Sequence, residues 1–149
     1  MPVTVNPYNK TLTRFASGQN VAGDEYKLIL CTAATYNITH EVLGDLTYTE
    51  VANGNGYTTG GKVLESVVFN QVDTGTGSLD GCSFDADDVI WFATGAGISA
   101  SHGILVNSTD ANTPVLLFVD FGGTVTAADT QEFRITWSSN GIIRWSRVI

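Results

Sequence analysis

Charge, proline, cysteine and long apolar runs are all scarce in this sequence, and each shortage excludes something. Only 15% of the 149 residues are charged while 43% are hydrophobic. An average domain carries about 25% charged residues, so this balance argues for a packed globule and against intrinsic disorder. Bases are the scarcest class, seven Lys and Arg against fifteen Asp and Glu, for a net charge of −8. That excludes binding of nucleic acid through a broad basic surface. The longest apolar stretch, residues 115–119, is far below the roughly 20 residues of a membrane helix. Residues 1–10 hold no basic segment followed by an apolar core, so neither a membrane span nor a signal peptide is expected. The two cysteines, Cys31 and Cys82, stand alone with no CxxC spacing. They could pair across the fold, but without an export signal two buried free thiols are the expectation. Adding His40 and His102 makes a Cys2His2 set on paper, but the spacing is not that of a zinc site, and no metal is expected.

What is present is glycine, threonine and asparagine between short β-rich runs. The length suits one domain, and a chain of this size buries roughly 68–70% of its unfolded surface without needing a staple. Helical periodicity is confined to residues 10–17, where Leu12 and Phe15 lie three apart and Gly18 offers a stop, enough for one or two turns. Strands are expected at residues 26–32, 47–51, 63–72, 89–93, 104–107, 115–121, 133–138 and 142–148. Between them stand Asn53-Gly54-Asn55-Gly56, Thr74-Gly75-Thr76-Gly77 and Gly122-Gly123, residues that accept positive φ. No repeat of 20–50 residues exists, which disfavours propellers and solenoids. The reading is all-β: an antiparallel, jelly-roll-like β-sandwich over residues 26–149, preceded by an N-terminal arm, residues 1–25, that is irregular or briefly helical.

Alternation is clearest near the C-terminus. Phe133, Ile135 and Trp137 share one face, and Glu132, Arg134 and Thr136 the other. If the two last strands form a hairpin, a two-residue Asn-Gly turn sets Trp137 against Arg144 and Arg134 against Arg147, a like-charge pair. A three-residue loop with Gly141 in the left-handed position instead pairs Trp137 with Ile143 and Ile135 with Trp145, and is preferred.

Several constellations invite a chemical reading. Asp85, Asp87 and Asp88 cluster, but Ile90 and Ala96 occupy the places where an EF-hand needs its glycine and glutamate. A turn leading into Val89, with the aspartates bonding nearby amides, is expected, with a looser calcium site as the alternative. Twelve acids in residues 31–130 can always supply a carboxylate pair, so a glycosidase pair is not informative. Ser101 and His102 are adjacent without a GxSxG elbow, and neighbours on a strand point to opposite faces, which works against a direct hydrogen bond. Gly54, Gly56, Gly60 and Gly61 imitate a phosphate loop, but Gly61-Lys62-Val63 lacks the hydroxyl for magnesium and leads into a strand, so nucleotide binding is excluded. Trp91, Trp137 and Trp145 raise a sugar-stacking reading; all lie in apolar strand patterns, so most should be core.

Charge is divided along the chain. Residues 1–30 carry a net +1, residues 31–130 a net −11 and residues 131–149 a net +2, so the two ends are where an acidic partner would be met.

From Glu50 onward the motifs follow a recognisable order. Asn55-Gly56-Tyr57-Thr58-Thr59-Gly60-Gly61 with Leu64 forms a GYTxGGxxL element. Phe84-Asp85-Ala86-Asp87-Asp88-Val89-Ile90-Trp91 is an acid-rich turn leading into V-x-W. Ile98-Ser99-Ala100, Ile104-Leu105-Val106-Asn107-Ser108-Thr109 and Pro114-Val115-Leu116-Leu117-Phe118-Val119-Asp120-Phe121-Gly122 follow, and Phe133-Arg134-Ile135-Thr136-Trp137 and Gly141-Ile142-Ile143-Arg144-Trp145 close the series. This order resembles a group of small structural proteins of tailed bacteriophages, described as virion or capsid-associated proteins. The resemblance departs after Ile98-Ser99-Ala100, where an Arg-Tyr-Ala type run is replaced by Ser101-His102-Gly103, and residues 1–45 match no part of it. It implies a non-enzymatic capsid decoration (cement) protein on the virion surface, assembled in the bacterial cytoplasm. Its partners would be the major capsid protein and other copies of itself, as a homotrimer, with no cofactor, nucleic acid or membrane involved. The basic ends of the chain, not the resemblance, then suggest that residues 2–20 and the last strand would reach the shell, with Lys10, Arg14, Phe15, Arg144 and Arg147 as contacts. The alternatives are a tail or fibre component and a carbohydrate-binding module.

Overall fold

Runs such as Ile104-Leu105-Val106 have no polar side to turn to water, so strands built from them must be covered on both faces. The computed structural model, which describes residues 3–72 and 81–146, shows how this is met. It is an all-β, sandwich-like fold of antiparallel sheets with one α-helix near the N-terminus. In chain order the elements are β1 (Thr4–Pro7), α1 (Asn9–Ala16), β2 (Tyr26–Ala34), a 3-10 turn (Leu43–Asp45), β3 (Tyr48–Glu50), β4 (Lys62–Val63) and β5 (Val68–Val72). They continue with β6 (Gly81–Asp85), β7 (Val89–Phe92), β8 (Ile98–Asn107), β9 (Val115–Ala127), β10 (Glu132–Ile135) and β11 (Ile143–Ser146).

The main sheet runs β1-β9-β8-β2-β3, with β4 also on β2. One face, carrying Leu28, Leu30, Leu105, Leu117 and Val119, packs against Phe84, Val89, Trp91 and Phe133. Those four come from two smaller sheets, β10-β7 and β11-β6-β5. The other face carries Ile29, Cys31, Ile104, Val106 and Phe118 and is covered by Tyr8, Leu46, Tyr36 and Tyr48. Each fully buried aliphatic or aromatic side chain contributes roughly 1.5–3 kcal/mol of transfer free energy, and β2, β8 and β9 collect this on both sides. A bulge shifts the β8–β9 register between Leu105 and Val106, which puts Leu116 in the same core as Leu117.

Within the N-terminal arm, residues 1–25, the helical turns expected there form α1, and Thr4–Pro7 pairs with β9 as an edge strand. Helix α1 is anchored by tertiary contacts, with Thr11 Oγ1 donating to Leu116 O (2.7 Å) and Phe15 ringed by Phe69, Phe84 and Trp145. The expected strand 63–72 is broken, because Ser66 takes a positive φ of 56° between β4 and β5. The C-terminal hairpin does not form either. β10 pairs with β7, setting Ile135 against Val89, and β11 pairs with β6, setting Trp145 against Cys82. Gly141 does take the left-handed conformation (φ 98°), but the turn it makes sends the chain to a second sheet. Ile142 N donates there to Phe84 O (2.9 Å). With these pairings Phe133 and Ile142 are both buried.

Candidate interaction surface

The contact residues expected from the two ends of the chain converge. Lys10, Arg14 and Phe15 lie on α1 and Arg144 on β11, and Phe15 stacks on Trp145 with ring centroids 5.4 Å apart. Beside that stack a groove of about 270 Å³ is lined by Tyr8, Leu12, Ile38, Ile143, Arg144 and Trp145. Lys10 Nζ pairs with Glu41 Oε2 (2.6 Å), and Arg14 donates to the Glu41 carbonyl (3.1 Å). Arg144 is exposed at the groove wall. Phe15, half-buried among Phe69, Phe84 and Trp145, is a packing residue, and the exposed apolar contacts of this face are Leu12 and Ile38. Arg147 lies outside the described residues.

Ser101 and His102 do hydrogen-bond, contrary to the alternation rule: Ser101 Oγ lies 2.7 Å from His102 Nδ1. The β8–β9 ladder breaks there, with residues 121–124 of β9 opposite Ser101 alone and positive φ at Gly122 and Gly123. The break turns both side chains to one side. Asp120 Oδ1 stands 3.9 Å from His102 Nε2, so serine, histidine and aspartate adjoin. The hydroxyl, however, donates to Thr32 O (2.7 Å) and therefore accepts from Nδ1–H. Its proton points away from the imidazole, so the array ties β2 to β8 and does not activate a nucleophile.

The GYTxGGxxL element is a structural clamp. Tyr57 is buried; its hydroxyl donates to Glu50 Oε1 (2.7 Å) and accepts from Leu30 N (3.1 Å). Glu50 Oε1 also accepts from Gly60 N (2.6 Å). Leu30 falls where β2 passes from its pairing with β4 to its pairing with β3, so the hydroxyl serves an amide between the two ladders. Burial, reinforced by the Glu50 hydrogen bond, holds the Tyr57 hydroxyl far above the ordinary tyrosine range. Gly56 and Gly61, both at positive φ, lie so close to Phe92 O and Leu28 O that a Cβ would collide with backbone. Lys62 Nζ donates to Ile90 O, completing the link between β4 and β7.

The aspartate cluster reaches across the fold and does not cap its own turn. Asp87 accepts from Ser66 Oγ (2.7 Å), and Asp88 accepts from Trp137 N (3.1 Å) and pairs with Arg134 (3.4 Å). Among the described residues no three of His, Cys, Asp and Glu converge to hold a metal ion. His102 faces Cys31 across β2–β8, while Cys82 sits on β6. Both thiols are free; Cys31 is buried and Cys82 only half-buried, where two buried thiols were expected. Of the tryptophans, Trp91 is core, whereas Trp137 and Trp145 are half-buried. Trp137 lines a second cavity of about 330 Å³ with Val5, Phe121, Arg134 and Ile142.

One surface residue was not singled out in the sequence. Phe92 is 63% exposed on the outer face of β7, opposite Glu132 and close to Glu65 and Asp88. The signal was there: Trp91 and Phe92 are adjacent on a strand, so one of them must face outward. No helix among the described residues is long and apolar enough to cross a membrane. Comparison with known proteins gave no match to a family model, a curated protein or a solved structure.

Proposed function

We propose that this chain is a structural protein of a tailed-bacteriophage virion, a capsid decoration protein that binds across coat subunits and associates with copies of itself. The observation that carries the reading is the order of motifs from Glu50 to Trp145, which resembles that group. The packing roles of those motifs agree with a module that works through its surfaces. Gly56, Tyr57 and Gly61 clamp β2 to β7, Asp87 and Asp88 fasten the smaller sheets, and the 115–121 run forms the sheet centre. A decoration protein stabilises a shell by mass action, binding the assembled form and not the dissociated one. A stable joint of that kind buries about 1,200–2,000 Å² in all. The groove between α1 and β11, where Leu12, Ile38 and Arg144 meet, supplies one such surface.

The test is to add labelled protein to expanded empty heads and, separately, to tails of the phage that encodes it, and to locate it on intact virions by electron microscopy. Saturable binding to heads and not tails is expected. Binding to tails alone moves the protein to the tail or fibre. A sugar-binding module remains the reading of a different class, favoured by Trp137 at a cavity wall. Retention on bacterial polysaccharide that Trp137→Ala abolishes would replace the decoration reading with it.

A further inference from the structure

We propose that Asn140 is a modification site of this chain, where the native fold lets the Gly141 amide close on the Asn140 side chain and convert it, with loss of ammonia, to isoaspartate and aspartate. The sequence offers three Asn-Gly pairs, at residues 53–54, 55–56 and 140–141. Glycine after asparagine leaves the attacking nitrogen unshielded by a side chain, so by sequence the three pairs are alike. Their surroundings are not. Asn53 Oδ1 accepts from Thr59 N (3.2 Å), and Gly54 N donates to Tyr57 O (2.8 Å). Asn55 Oδ1 accepts from Ala96 N (3.2 Å), its carbonyl accepts from Thr94 N (3.0 Å), and Gly56 is pressed against Phe92 O. Either side chain would have to leave its partner, in a loop pinned to neighbouring strands, before it could be attacked. Asn140 is held by its main chain only, its N donating to Ser138 Oγ (3.2 Å). Its side-chain amide has no hydrogen-bond partner among the described residues, and residues 138–140 are all exposed. One bond of the exposed turn, Gly141 N to Ser138 O (2.9 Å), stands between that nitrogen and the reaction.

Water is the only co-reactant. Hydroxide removes the Gly141 N–H proton, the nitrogen bonds to Asn140 Cγ, and the bond from Cγ to the side-chain nitrogen breaks, ammonia leaving with a proton from water. Water then opens the five-membered imide. Opening at Cγ gives aspartate. Opening at the original main-chain carbonyl gives isoaspartate, whose backbone runs through Cβ and Cγ and is one methylene longer. That methylene falls between two anchors. Before it, Trp137 is tied to the aspartate turn, N donating to Asp88 Oδ1 (3.1 Å) and Nε1 to Asp87 O (3.2 Å). After it, Ile142 N donates to Phe84 O (2.9 Å), and Gly141, at φ 98°, lies so close to β6 that a Cβ would stand 2.8 Å from Ser83 Cβ. With both ends fixed, the bond from Gly141 N to Ser138 O is the one that yields. Trp137, Ser138, Gly141 and Ile142 also wall the second cavity, of about 330 Å³, so the longer turn reshapes it.

The experiment is peptide mapping by mass spectrometry of the full chain held in mildly alkaline buffer, native and in urea, with Asn140→Gln and Asn140→Asp alongside. In the native chain Asn140 is expected to gain one mass unit more than about tenfold faster than Asn53 or Asn55, since each 1.4 kcal/mol or so of local opening slows attack about tenfold. In urea the three rates converge. Asn140→Gln, whose longer side chain would have to close a six-membered ring, should show no gain at that position. The modified fraction, isolated by its added negative charge, is expected to melt about 2–4 °C below wild type, the effect of one lost hydrogen bond in a chain of this size. Asn140→Asp adds the charge without lengthening the backbone and should melt with wild type. Native Asn53 or Asn55 converting as fast as Asn140, or an Asn140 that is stable in the native chain and labile in urea, overturns the site. A modified fraction that melts with wild type overturns the strained turn.

Discussion

The Tyr57 hydroxyl serves two partners at once, giving its proton to Glu50 and receiving that of the Leu30 amide. Tyr57→Phe removes both bonds and leaves a buried amide without a partner. The expected loss is about 1–3 kcal/mol, read as a lower urea midpoint with an unchanged slope; a loss within about 0.3 kcal/mol would show the amide is served otherwise. Glu50→Gln keeps an acceptor at Oε1 and should cost less. The cysteines offer a second check at this scale. Burial, with Glu50 as the lesser cause, pushes the Cys31 thiol up to about 12, whereas Cys82 is half-buried. Iodoacetamide at pH 8 should therefore alkylate Cys82 first and reach Cys31 only in denaturant, since the thiolate is the nucleophile. Equal labelling of the two in native protein would contradict this.

Among elements, the 53–61 loop is fixed by close approach of backbone to backbone. Gly56→Ala and Gly61→Ala each drive a Cβ into a carbonyl of a neighbouring strand at positive φ. Each should cost more than about 2 kcal/mol, or abolish soluble expression. Gly23→Ala, with nothing within reach of its Cβ, should stay within about 0.5 kcal/mol; circular dichroism melts of the three variants make the comparison. The same loop shows how far the sequence could be read. Gly54 and Gly56 announced positive φ, but not that Phe92 would press on Gly56, and nothing local announced that Leu28 would press on Gly61. Helix α1 was legible within one residue because Leu12, Phe15 and Gly18 mark a turn and its stop. β1 was not legible, because Thr4–Pro7 has no pattern of its own and is a strand only through β9. The 132–137 alternation correctly put Phe133 inward and Glu132 and Arg134 outward. It could not name the partner strand, since local pairing and pairing with β7 bury the same face.

For the molecule as a whole, buried weak acids set the alkaline limit of stability. Burial raises Cys31 and also Tyr8, Tyr26 and Tyr57 above their ordinary values. The folded chain then holds protons that the unfolded chain gives up first. Stability from these groups is complete below the unfolded thiol value near 8.5 and falls as the pH rises from there through about 12. Urea midpoints measured from pH 8 to 11 should fall steadily, and a flat profile would mean these hydroxyls and the thiol are exposed.

By itself the sequence determined the class of fold, through strand-length apolar runs and glycines able to take positive φ, and it marked both ends of the chain as basic. Those are local or additive properties, present before any contact forms. Tertiary structure decided the rest. It took the last two strands to different sheets, put Ser101 beside His102 through a break in a ladder, and turned a helix and a distant strand into the two walls of one groove. It also left Phe92 outside while burying Trp91. Each of these depends on which strands pair and which faces they cover, and that is a property of the whole packed chain.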